Sequence, residues 1–177
     1  MYFNEEIYNN FVCDFSNNLR QKIQDTEISK LIFLCIGTNR VIGDCFGPLV
    51  GSKLKHFFMH EENIEIIGDI ENIVCLKNAH SIINKIQKQE AFVIAIDAAL
   101  SCRNKIGTII VNQNKMNIGS GINRRNLYIG DISIKGIVAR DLKNPKYNFN
   151  ALQNMPLNII IDMADCVSEG IYNVINV

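Results

Sequence analysis

The sequence has no net charge, because 18 acidic side chains balance 18 basic ones along 177 residues. Without a basic excess it carries no electrostatic footprint for nucleic acid, and without an acidic excess none for a cationic partner. It also lacks any run of about twenty apolar residues, so no segment is expected to span a bilayer. The opening stretch, MYFNEEIYNNFVCDF, has neither the basic start nor the apolar core of a secretory signal. The six cysteines, at 13, 35, 45, 75, 102 and 166, include no CxxC pair. Four lie in or beside apolar runs, where a free thiol packs as a small core residue, and a reducing, cytoplasmic location is expected. Internal repeats and low-complexity linkers are absent too, and the length suits one domain over residues 1–177.

What is present is an alternation of short apolar runs and amphipathic stretches. Ile7, Phe11, Phe15 and Leu19 recur every four residues, predicting an N-terminal helix over about 5–24. Apolar runs at about 31–36, 64–67, 92–97 and 106–111 read as strands buried on both faces. Gly47-Pro48 predicts a helix start, and Asn78 a cap for a helix before residue 89. LYIGDISIKGIV reads as extended, and NMPLNIIIDMADCVSEGIYNVI as a closing helix. The order predicts an α/β sandwich with a mostly parallel sheet and helices on both faces. Residues 112–130, polar and rich in Asn and Gly, read as a loop, either functional over the sheet edge or simply surface.

The loop after the first strand, GTNRVIGDCFGP, has the look of a phosphate cradle, yet the chemistry is wrong. The GxxxxGK[ST] loop needs four residues between its glycines and then Lys. Here five separate Gly37 from Gly43, and Asp44 stands where the lysine would be. The dinucleotide pattern GxGxxG fails as well, since Thr38-Asn39-Arg40 follow Gly37. No nucleotide cofactor is expected. Gly43, Gly47 and Gly51, at four-residue spacing, suit a tight turn and a helix lying close on its sheet.

Asp44 gains weight from a second acid, Asp97, near the end of FVIAID. Open α/β sheets bind ligands at the carboxyl ends of their strands, where both acids are expected to meet. Converging carboxylates raise each other's proton affinity, so one serves as base while the other stays protonated. Asn39 and Gly43, in the same loop, are candidates to line the substrate site. Asp131, in IGDIS, reads either as a third acid there or as a turn residue opening a strand. Cys45, beside Asp44, has no histidine at a position suggesting a thiol–base pair, and reads as a small loop residue.

At these residues the chain resembles a known family. CIGTNRVIGDCFGPLVG, FVIAIDAALS, GDISIKGIV and MADCVSEGI together resemble the YyaC-type sporulation proteins. That group is related to the germination protease of spore-forming bacteria and, more distantly, to the hydrogenase maturation proteases. The resemblance covers nearly everything after the N-terminal helix. It implies a phosphorylase/hydrolase-like three-layer α/β sandwich, with Asp44 and Asp97 as the catalytic pair of a peptidase. It also implies a protein substrate, the small acid-soluble proteins that coat spore DNA, and a place in the forespore or spore interior. The hydrogenase relatives bind nickel through a Glu in the first loop, an Asp at a strand end and a later His. Here Cys45 stands where that Glu would be, and no His occurs in 112–130. His56, His60 and His80 read as helix residues, and no metal site is expected. Beside the peptidase stand two other readings: a non-catalytic relative that binds a spore or developmental protein, and a metal-dependent maturation peptidase.

Overall fold

A computed structural model describes residues 5–24, 28–118 and 127–176. Its centre is a five-stranded sheet in the order β2-β1-β3-β7-β4. The strands are β1 (Leu31–Cys35), β2 (Ile64–Ile67), β3 (Phe92–Ser101), β4 (Ile109–Asn112) and β7 (Ile132–Arg140). β2, β1, β3 and β7 run parallel, while β4 pairs antiparallel with β7 at one edge. The mostly parallel sheet expected from the apolar runs is therefore present.

Strands buried on both faces need two covering layers. On one face Phe33, Cys35, Ile94, Ile96 and Ile134 meet α1 (Glu5–Ile23), α2 (Phe46–Phe57) and α5 (Leu157–Ile175). Phe15, Val50, Leu54, Met163 and Val167 fill that layer and are almost fully buried. Each such side chain contributes on the order of 1.5–3 kcal/mol of transfer free energy. On the other face Ile32, Leu34, Ile36 and Ala95 meet α3 (Ala79–Ile86) and the paired strands β5 (Met116–Ile118) and β6 (Leu127–Ile129). The sheet is the middle of three layers.

Several local expectations differ from what is observed. Asn78 does not cap α3 with its side chain. Its Oδ1 instead accepts from the Cys75 N–H at 2.8 Å, and its Nδ2 donates to the Ile73 carbonyl at 2.9 Å, closing the turn before the helix. α2 starts at Phe46 rather than at Pro48, because a 3-10 turn (Ile42–Cys45) feeds it without a break. Residues 112–130 hold β5 and β6 at their ends, and 119–126 lie outside the described residues. One helix escaped the sequence reading: α4 (Pro145–Gln153). Asn144 caps it, accepting from the Lys146 and Tyr147 N–H groups, and Pro145 opens its first turn.

The chain leaves β1 through α2 to reach β2 on one side, then returns through α3 to β3 on the other side of β1. Connections thus diverge at the carboxyl ends of β1 and β3. That is the switch point at which such sheets open a crevice.

Candidate active site

The crevice is shaped by how the chain leaves β1. The Ile36 N–H donates to the Ile96 carbonyl at 2.8 Å, and the Gly37 N–H to the Val74 carbonyl at 2.9 Å. Gly37 then adopts φ 147°, in the region open mainly to glycine. This reverses the chain so that the Thr38 N–H reaches the Asp44 carbonyl at 3.1 Å. The Asp44 N–H donates in turn to the Val41 carbonyl at 3.0 Å. Asp44 is thereby fixed on the 3-10 turn just ahead of α2. Behind that turn, Gly43 is buried under α4, where a Cβ would press within 2.8 Å of the Leu152 side chain.

Asp97 approaches the same switch point from β3. Cys35, the last residue of β1, pairs with Ile96, so Asp97 lies one step beyond the end of β1. Burial and then the negative charge of Asp44 raise its proton affinity well above the usual carboxylate range. The Ala98 backbone N–H and the Lys135 ammonium pull the other way without winning. Asp44 is raised too, chiefly by burial, against a backbone hydrogen bond from Thr38. The charge of Asp44 thus acts on Asp97, and the surroundings of both acids favour the protonated form. Such a pair offers an acid and a base within one crevice, the requirement for activating water against a carbonyl.

The other residues singled out from the sequence do other things. Asn39 is exposed, and its Nδ2 donates to the Ile70 carbonyl at 2.9 Å, tying the loop to the segment after β2. Among the described residues no hydrogen bond links it to either aspartate. Gly43 is a packing residue beneath Leu152, not a lining one. The third-acid reading of Asp131 needs correction. Its Oδ2 accepts from the Val93 N–H at 2.8 Å, and its own N–H donates to the Val93 carbonyl at 2.7 Å. This clamp sits at the amino ends of β3 and β7. It is four residues from Asp97 along β3, or ~13 Å at the usual strand rise. Asp131 opens a strand.

Sequence reasoning missed Lys135. It pairs in register with Asp97 across β3 and β7, so the two side chains share one face of the sheet. The available signal was a lysine inside the apolar run ISIKGIV.

The surroundings of Cys45 favour its thiol over its thiolate. Its Sγ–H donates to the Thr38 and Val41 carbonyls at 3.3 and 3.4 Å, and burial, helped by the charge of Asp44, raises its pKa. Among the described residues no three His, Cys, Asp or Glu side chains gather into a metal-holding group. Two surface grooves flank β2, lined by Lys55 and Ile66 among others, and neither touches Asp44 or Asp97.

The fold is of the α/β kind seen in a hydrogenase maturation protease. The crystal structure of a [NiFe] hydrogenase maturation protease HycI from Thermococcus kodakarensis KOD1 matches with a TM-score of 0.60 at 17% identity. The match covers 90% of this chain and 99% of that one, and it establishes the three-layer fold. The chain itself belongs to the family described as "Protein of unknown function (DUF1256)", whose model matches residues 2–170. It is 34% identical over 143 residues to the "Uncharacterized protein YyaC" of Bacillus subtilis (strain 168), covering 80% of this chain and 67% of that protein. No helix among the described residues is long and apolar enough to cross a membrane.

Proposed function

We propose that this protein is an endopeptidase in which Asp44 and Asp97 share one proton and activate a water molecule. The observation that carries the reading is the placement of two carboxylates at the switch point, where burial and the charge of Asp44 raise the proton affinity of Asp97, and burial raises that of Asp44. In the singly protonated pair, the ionised member takes a proton from water as the water attacks the peptide carbonyl. The protonated member then supplies a proton to the departing amine. Similarity to a maturation protease in fold is consistent with this chemistry. The finer reading is a sporulation-associated peptidase of the germination-protease type, working in the forespore or spore interior. Its substrates would be the small acid-soluble proteins that coat spore DNA. The test is to incubate the protein with those substrates and follow fragments by mass spectrometry, with Asp97→Asn in parallel. Fragments from the wild type alone support the reading. Intact substrates that nevertheless bind both proteins would make this a binding relative without catalysis.

A further inference from the structure

β7 is a central strand, paired with β3 on one side and β4 on the other. From Ile132 to Ala139 every residue is buried except Lys135, which is half-buried. A lysine there is costly, since its ammonium must reach water or a partner. Its register neighbours are Asp97 on β3 and Ile110 on β4. Side chains in register on adjacent strands stand about 5 Å apart at their bases. The described ion pairs join Lys30 to Glu65, Lys53 to Asp165, Lys55 to Asp69 and Lys143 to Asp141, and none involves Lys135. No described ion pair commits its cation to a carboxylate, yet it stands beside Asp97 on the same face of the sheet. A purely structural lysine in this strand would be expected either to close an ion pair or to lie at the strand's end.

We propose that Lys135 is the third member of the site, the fixed positive charge that keeps one of the two aspartates ionised at neutral pH. The proposal rests on the peptidase reading for its purpose, but not for its test. Two carboxylates in a partly buried crevice tend to hold two protons, and a doubly protonated pair has no base. A nearby ammonium opposes the second proton, so the pair settles with one. Among the described residues, the titratable groups acting on Asp97 are Asp44 from the 3-10 turn and Lys135 from β7. Cys45, beside Asp44, keeps its proton. Lys135 is a positioning residue in this account, because it acts through the aspartates.

The experiment compares wild type, Lys135→Met and Lys135→Arg, each verified as folded by its urea midpoint. Side-chain carboxyl carbon shifts of Asp44 and Asp97 are followed by NMR against pH. The expected result is that the titration of the pair moves to higher pH in Lys135→Met and returns towards wild type in Lys135→Arg. An unmoved titration in Lys135→Met overturns the proposal whether or not the protein cleaves peptides. In a preparation that does cleave, the acid limb of the rate profile should move up by the same interval, with Lys135→Arg restoring it. A moved titration with an unmoved acid limb would also overturn the assigned role. Absence of cleavage by wild type would instead count against the peptidase reading, and the titration would still decide the place of Lys135.

Discussion

Gly37 lies directly against the backbone of Asp44: a Cβ on residue 37 would come within 2.1 Å of the Asp44 carbonyl oxygen. The contact is what brings the loop back over the end of β1, and it makes the position of Asp44 a consequence of one glycine. It also separates two ways in which a glycine is needed. Gly37 combines positive φ with this contact, whereas Gly107, at φ 91°, has nothing within 4 Å of an added Cβ.

Gly37→Ala is therefore expected to cost more than Gly107→Ala in urea unfolding. The latter carries backbone strain alone, about 1–2 kcal/mol. The former adds an overpacking cost of about 1–3 kcal/mol and displaces Asp44. Equal costs for the two changes would mean that the loop relaxes freely around residue 37.

Stability should respond to pH through Asp97 with a definite sign. Its carboxyl binds a proton more tightly folded than unfolded. Its contribution is thus fully present below the unfolded value, near 4, and is lost as pH rises towards the folded value. Asp97→Asn removes this dependence, so the variant should gain on wild type as pH rises above about 4. Asp69 works the other way. Burial favours its protonated form, but Lys55 and the Asn72 and Glu71 N–H groups hold it below the usual range. Its contribution is lost as pH falls, equally in both proteins. Urea midpoints at several pH values check the difference, and parallel curves for the two would contradict it.

Cys45 should be dispensable for chemistry. Its thiol is a hydrogen-bond donor to two loop carbonyls, and a hydroxyl can replace it in that role. Cys45→Ser should keep cleavage within about threefold of wild type, where loss of a nucleophile would cost several powers of ten. Iodoacetamide should leave the rate untouched at neutral pH, because the raised pKa leaves little thiolate. A thiol-blocked enzyme without activity would reopen the nucleophile reading.

Much of the architecture was legible because burial on both faces writes itself as unbroken apolar runs, as in Leu31–Cys35 and the first half of β3. The switch point followed from chain order, and it led to Asp44 and Asp97. What stayed illegible depended on contacts distant in sequence. Asp131 resembled a site acid until its clamp on Val93 placed it at the opposite edge. Gly43 is explained by Leu152, more than a hundred residues away, and α4 itself has no buried residue to generate a period. Asn78 looked like a cap, but its side chain serves the turn before the helix. Lys135 was hidden because its meaning lies in the register with Asp97, which a single strand does not reveal.

The most direct measurement is the rate of peptide cleavage by Asp44→Asn, Asp97→Asn and the double variant against wild type. Each single change keeps the shape of the side chain and removes one proton-holding group. Each is expected to lower the rate by roughly 10²–10⁴-fold, the usual worth of a general acid or base. The double variant should lose little more than either single, since groups that act as a unit are not additive. Rates for wild type should fall as pH rises enough to strip the shared proton from the pair. Single variants that cleave as fast as wild type, or losses that multiply in the double variant, would contradict a shared-proton pair.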